Sequence, residues 1–292
     1  MNQASTPTLA AAVHDAGAFP SLWIREYNNG KIDTDYVHDV IEEFYKLVGH
    51  ANVLIPVQLS DLRNQDLVSV FKKFKVSHME VWGLLRHIDG QLLNFERLSQ
   101  LPAVQDNIQQ LKEFGKILIR IVEPMTESII AQFDGVCIKG QESAGLTGTH
   151  AVKDLFNAQK NINSTLHLIP YGGIGTPEQV SDFINAGAAA VGIGTLFAVC
   201  KESPLSTEVK LQLIQSSVAD ISRDEKTGQN LVWLSGHASE DPDDWNKTAM
   251  LKQGMHGNGQ EGLVYAGHGI QHVNSLRTVK ETVEFLTSKI KK

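Results

Sequence analysis

The sequence predicts an α/β fold, a TIM (β/α)8 barrel with a truncated first strand and a small C-terminal cap. Three observations lead there. Short β-rich runs alternate with stretches of helical periodicity along most of the chain up to residue 200. The runs are nearly continuous in apolar residues, the pattern of strands buried on both faces of a parallel sheet. Two consecutive strand-to-helix turns, at 172–175 and 192–195, are glycine-rich. Barrels of this kind hold phosphate there, after strands seven and eight.

The elements follow in order. A first helix spans 8–16, with only residues 1–5 before it, so the chain begins at the end of strand one. Strands are expected at 20–24, 52–59, 77–83, 116–122, 135–140, 166–172 and 189–194. Between them Tyr36, Val37, Val40, Ile41, Phe44 and Leu47 share one helical face, as do Val104, Ile108 and Leu111, and then Val180, Phe183 and Ile184. An eight-stranded barrel needs one more strand than these seven, and that strand belongs before residue 8. A seven-stranded open sheet is the alternative. Beyond the last strand come a helix at 205–217, an apolar run at 231–234, polar glycine-rich stretches and an amphipathic helix at 275–291. We therefore expect residues 1–204 to form the barrel with its phosphate site, and 205–292 to form an extension packed on it.

Composition excludes several classes. The chain has 292 residues, 26 Lys and Arg against 33 Asp and Glu, and 42% hydrophobic residues. That is enough apolar material for a core. A formal charge of −7 argues against a generic nucleic-acid or anionic-membrane surface. Two cysteines, Cys137 and Cys200, are too few for a disulfide scaffold, so a cytoplasmic setting is expected. The longest apolar run, 186–200, falls short of the roughly 20 residues needed to cross a bilayer, and the N-terminus has no basic signal-peptide region. The histidines show no metal-ligand spacing on a helix. His268 and His272 are four apart, but Gly267 and Gly269 disfavour a helix there. No metal is predicted.

Two stretches carry chemistry. In Gly172-Gly173-Ile174-Gly175-Thr176-Pro177-Glu178-Gln179 a strand ends in glycines and a helix starts at once. Thr176 can cap it, Pro177 suits its first position, and Gln179 completes a capping box. Bare backbone N–H groups and a helix N-terminus favour an anion. Gly192-Ile193-Gly194-Thr195 repeats the arrangement one unit later. The second stretch runs from Lys139 to His150 after strand six. It carries Lys139, Gly140, Glu142, Gly145 and His150 at the end of the barrel where active sites form. Lys139, Glu142 and His150 are the catalytic candidates, although Glu142 could equally cap a loop and His150 could be a surface residue.

These motifs resemble the nitronate monooxygenase (2-nitropropane dioxygenase-like) family, which includes flavin-dependent enoyl-acyl-carrier-protein reductases. The run GGIGTPEQVSDFINAGAAAVGIGTLFAVCKES carries the family's GGI turn, its GA-x-x-V strand, GT-x-F and a Glu-Ser pair at Glu202-Ser203. The loop Gly140-x-Glu142-x-x-Gly145-x-x-Gly148 is similar to its G-x-E-x-G-G-H-x-G. Met1-Asn2 and the stretch 9–17 are similar to its opening, and 265–269 to its A-G-Q-G segment. The resemblance implies a barrel that binds FMN. Its phosphate would rest on Gly172, Gly173, Gly194 and Thr195, with Ile174, Gly192, Gly140 and Gly145 lining the site. Met1 and Asn2 would pass beside the flavin ring, and Gln58 and Lys139 would reach its edge. The protein positions the ring and tunes its electronics.

Two departures stand out. Leu146 occupies the place of the family's loop histidine, and an aliphatic chain can neither take nor give a proton, so nitronate oxidation does not carry over intact. His150 and His268 are the nearby substitutes. The apolar strand that precedes the Met in the family is also missing, which leaves a seam that another segment or a second subunit, as in a homodimer, would close. The leading expectation is an FMN-dependent oxidoreductase acting on a small organic molecule or acyl thioester. The alternatives are an enoyl-thioester reductase that uses NAD(P)H, and a non-catalytic flavin- or phosphate-binding barrel. A purine-nucleotide dehydrogenase fits poorly, because the loop after strand six has no cysteine.

Overall fold

The computed structural model describes residues 4–28, 30–83, 86–88, 91–93, 102–163, 165–224, 229–233, 254 and 262–290. Met1 and Asn2 lie outside the described residues. Five parallel strands form the centre of the fold: β1 (Leu54–Gln58), β2 (His78–Trp82), β3 (Lys116–Ile121), β4 (Gly135–Lys139) and β5 (His167–Tyr171). They are hydrogen-bonded in chain order. Their outward residues, such as Ile55, Val57, Met79, Val81, Ile117, Ile119, Val136 and Ile138, are buried and belong to the main core.

The sheet continues at both edges through extended segments. Ser21 bridges Leu54 in parallel, and Gly192 bridges Tyr171 in parallel. These are the strands expected at 20–24 and 189–194, each paired over a shorter length than its sequence run. Between them lies the position of the first strand. Among the described residues only Ala4 and Ser5 occupy it. Both are buried, and the Ser5 carbonyl accepts the Trp23 N–H at 2.9 Å. Among the described residues the barrel comprises seven strand segments and the Ala4–Ser5 end of a further one.

Helices cover the outside. They are α1 (Pro7–Asp15), α2 (Thr34–Val48), α3 (Gln65–Phe74), α4 (Pro102–Lys112), α5 (Val152–Ile162) and α6 (Pro177–Asn185), followed by α7 (Thr207–Gln215) and α8 (Val279–Thr287). The buried face follows the periodicity read from the sequence only in part: Tyr36 and Leu47, at the two ends of α2 where the helix runs past the core, are exposed, and on α6 Val180 is buried while Phe183 and Ile184 are half-buried. On α2 the buried face is Val37, Val40, Ile41 and Phe44, and on α4 it includes Val104, Ile108 and Leu111. The helix starts are set by local chemistry. Asp33 caps α2 through the N–H groups of Asp35 and Tyr36. Thr176 and Gln179 form the expected capping box on α6, with Pro177 at its first position.

The C-terminal part returns to the barrel. α8 packs on α1 and α6. Ahead of it, an antiparallel ribbon of Ile221–Asp224 and Gln229–Trp233 pairs with Leu263–Val264 and with the loop strand Gly145–Leu146. This pairing, which the sequence gives no sign of, joins the extension to the loop after β4.

Candidate active site

Strand alternation decides what faces the barrel interior. The inward positions carry Leu54 and Pro56 on β1, His78, Glu80 and Trp82 on β2, Leu118 and Arg120 on β3, Lys139 on β4, and Ile169 and Tyr171 on β5. All of them line one cavity of about 1010 Å³. The cavity opens between the βα turns at the mouth and continues down to the lower strand ends, beside the position where only Ala4 and Ser5 stand. Two charged residues embedded in apolar strands meet inside it. Arg120 donates from Nε to Glu80 Oε1 at 2.7 Å and from its Nη2 to Glu80 Oε2. Glu80 is 1% exposed. Burial favours the neutral acid, but Arg120 outweighs it and holds the carboxyl below its usual range. Burial likewise opposes the charge on Arg120, and Glu80 more than offsets it.

Lys139 ends β4 facing the same cavity. Among the described residues it forms no hydrogen bond, and no carboxylate lies within ion-pair distance. Burial, and then the positive charge of Arg120, bring its amine down to about 7, with partial relief from Glu80. Two further interior groups are held in their neutral forms. Burial raises the Cys137 thiol and the Tyr171 phenol well above their ordinary values.

The two glycine turns stand side by side across the mouth, because Tyr171 of β5 bridges Gly192 in the next segment. Gly173 has φ +66, a left-handed conformation that costs most side chains about 1–2 kcal/mol. The capping box consumes the N–H groups of Gly175, Thr176 and Gln179. Among the described residues, the N–H groups of Gly173, Ile174, Gly194 and Thr195 donate to no protein acceptor. Thr195 Oγ1 accepts the Gly267 N–H at 3.2 Å, which leaves its own hydroxyl hydrogen to donate. Four free amides at two adjoining turns make a cradle for an anion with several oxygens.

The loop after β4 resolves the roles of its motif residues. Gly140 is required by packing, since a Cβ there would lie 2.5 Å from Val152. Glu142 Oε2 accepts the Val152 N–H at 3.0 Å and caps α5, whose own N-cap residue, Ala151, supplies no side-chain bond. Gly145 adopts φ +67 and lines the cavity, with Tyr265 and the Lys139 amine around the place its side chain would take. Leu146 also lines the cavity. His150 is exposed and outside the cavity lining, so the structure does not bring it to the place suggested for a base. Gln58 is 1% exposed and accepts from Arg25 at 3.0 Å. It too is absent from the lining. Gly172, Gly173, Ile174, Gly192, Gly194 and Thr195 all line the cavity.

The sequence reading missed a cluster at the mouth. The Arg25 guanidinium lies over Trp82, Tyr27 and Trp23, with centroids 4.8, 5.0 and 5.6 Å away, and Asp61 approaches to 4.0 Å. Trp82 is also overlaid by Arg120 at 5.5 Å. A cation followed by an aromatic two residues on, in Trp23-Ile24-Arg25-Glu26-Tyr27, was the available signal. Among the described residues no cluster of His, Cys, Asp and Glu could hold a metal ion, and no helix is long and apolar enough to cross a membrane.

Comparisons with known proteins agree with this geometry. A sequence model of the nitronate monooxygenase family matches residues 99–289, more than half the chain. The probable nitronate monooxygenase of Bacillus subtilis (strain 168) is 22% identical over 322 residues, covering 96% of this chain and 91% of that protein. The structure of FabK from Thermotoga maritima superposes with a TM-score of 0.77 at 20% identity, covering 99% of this chain and 89% of the other. Nitroalkane oxidase from Streptomyces ansochromogenes superposes with a TM-score of 0.73 at 18% identity, covering 99% and 93%. With the family matched over the half of the barrel that bears the cradle, the chain belongs to the nitronate monooxygenase family and is a flavin-dependent oxidoreductase with a TIM-barrel fold.

Proposed function

We propose that the flavin is FMN and that the chain oxidises a small organic substrate of the nitronate type. The observation that carries this reading is the pair of glycine turns whose four N–H groups have no acceptor among the described residues, opening on a cavity that contains Lys139, likewise without a partner among them. Gly173, Ile174, Gly194 and Thr195 would hold the phosphate. Lys139 would stand at the ring, where a positive charge favours an anionic partner. When bound, the flavin supplies the two-electron acceptor. The chain's own residues bind and orient it, and the aromatic groups Trp23, Trp82 and Tyr265 wall the site against water. With Leu146 in the loop, the group able to hold or move a proton is Lys139, at Nζ. His150 takes no part in this reading, and Glu142 acts through α5. The described part of 1–204 would supply the cradle and Lys139, and the described part of 205–292 adds Tyr265 to the cavity wall and reaches the loop through the ribbon paired with Gly145–Leu146.

The test is the absorption spectrum of the purified protein, with chromatography of the acid-released flavin, followed by turnover of a small alkyl nitronate. Bound FMN and oxidation of the nitronate are expected. Protein that neither retains nor takes up FMN would refute the reading. Anaerobic mixing with NADH or NADPH separates it from an enoyl-thioester reductase, since rapid bleaching of the flavin would favour the reductase. Bound FMN with no turnover of either substrate class would mark a non-catalytic flavoprotein.

A further inference from the structure

The Glu80–Arg120 pair sits inside the barrel and has no place in the phosphate cradle. Its two members come from adjacent strands, β2 and β3, and both line the cavity that Lys139 faces. The strand register sets Arg120 opposite Cys137, two residues below Lys139 on β4, and sets Tyr171 of β5 opposite Lys139 itself. Glu142 comes from the loop above, and Tyr265 from the segment after Leu263–Val264. Glu142 is committed to the Val152 N–H, and the Tyr171 hydroxyl is the acceptor for Cys137 Sγ at 3.6 Å. Glu80 is the carboxylate best placed to neutralise Lys139, and both of its oxygens are taken by Arg120.

We propose that the buried Glu80–Arg120 pair is a positioning device for Lys139: by engaging the nearby carboxylate and fixing a guanidinium beneath the amine, it presents Lys139 to the bound molecule unpaired and able to exchange its proton. A buried ion pair replaced by apolar side chains is often neutral or favourable for stability, so retaining one inside a barrel calls for another role. Here the charge order is specific. Burial lowers the Lys139 amine most, and Arg120 adds to that more strongly than Glu80 offsets it, which brings the amine to about 7. An amine poised near neutrality is matched to proton exchange at physiological pH.

The inference concerns the chain's own residues and stands apart from the flavin reading, so the experiment is run on the purified protein both with and without added FMN. Trace labelling with acetic anhydride across a pH series, read by peptide mass spectrometry, reports the free-amine fraction of Lys139 against exposed lysines such as Lys153 in the same digest. A midpoint near pH 7 is expected for Lys139. Glu80→Gln should move it down, and Arg120→Met should move it up by a unit or more, about a fivefold or greater loss of free amine at pH 7. The double variant Glu80→Met/Arg120→Met leaves no uncompensated charge, guards against unfolding, and should also move the midpoint up. A purely structural pair would leave the midpoint where it is. Wild-type Lys139 labelling like the exposed lysines, or unchanged midpoints in both Glu80→Gln and the double variant, would overturn the proposal. Labelling as expected without FMN uptake would support it while refuting the flavin assignment.

Discussion

The Glu80–Arg120 pair also makes a prediction about stability whose size follows from burial. In Arg120→Leu the Glu80 carboxylate, 1% exposed, loses both of its donors. Stranding one member of a buried pair costs about 3–5 kcal/mol, because a buried charge is left uncompensated. The low end applies here, since the Lys139 amine can turn to Glu80. About 3 kcal/mol corresponds to a fall in Tm of roughly 6–12 °C for a domain of this size class. The pH dependence checks the cause. In the wild type Arg120 holds the folded-state pKa of Glu80 below the usual carboxylate range. Its stabilising contribution is therefore present above the unfolded pKa and lost as pH falls through the folded one. In Arg120→Leu the carboxyl is buried without its partner, so its pKa rises and protonation relieves the penalty. The gap between variant and wild type should narrow as pH falls from 7 toward 5. Denaturant unfolding of the wild type, both single Leu variants and the Glu80→Leu/Arg120→Leu double variant forms a cycle. The double variant should be more stable than Arg120→Leu alone. Additive losses with no pH dependence would show that the cost is cavity formation and not charge.

Further outcomes follow from the same geometry. Glu142→Ala should cost about 1 kcal/mol through loss of the α5 cap, with flavin content and turnover retained; inactive protein of wild-type stability would restore a catalytic Glu142. Gly173→Ala should cost about 1–2 kcal/mol at φ +66, and its methyl would lie 3.0 Å from the Glu142 Cβ; flavin fluorescence titration should show weaker binding. Cys137 and Cys200 should resist iodoacetamide at pH 8 until the chain unfolds, because burial raises both thiols, that of Cys200 to about 11. His150→Ala should turn over like the wild type, and a dead variant would put a proton step back in the loop.

Much of the fold was legible because barrel strands and helices announce themselves by period. The helix faces at Val37–Phe44 and Val104–Leu111 are core in the structure. The α6 capping box is formed as its sequence implies. The site was legible in its glycines, since the signal for an anion cradle is local. What lay hidden was non-local. Glu80 and Arg120 stand in the strands His78–Trp82 and Lys116–Ile121, and a charged residue at an inward position of each was visible. Their pairing depends on which strands adjoin, and periodicity does not carry that. Gly145–Leu146 pairs with Gln229–Trp233 across a long sequence separation, so the loop reads as irregular when it is half of a ladder. Gln58 read as a residue at the mouth, yet the structure turns it to Arg25, a partner 33 residues earlier.

The exchange of the loop histidine for Leu146 gains a physical reading from the interior charges. The cavity carries Arg25 and Lys139 toward its mouth and Arg120 below them. Asp61 approaches Arg25 and Glu80 binds Arg120, so the residual positive charge falls on Lys139. A histidine at 146 would add a second titrating group on a loop, beside an amine already held to about 7. Two like charges in a low-dielectric cavity oppose each other, and protonation of either would suppress the other. With leucine there, the proton-capable group sits on the end of a strand, and strand-borne groups are held more precisely than loop-borne ones. Restoring the histidine tests this directly. Leu146→His should lower the labelling midpoint of Lys139 where the imidazole is charged, and leave it in place where the imidazole is neutral. A midpoint that does not respond at any pH would mean that residue 146 and Lys139 are electrically separate, and that the loop and the strand end do not form one site.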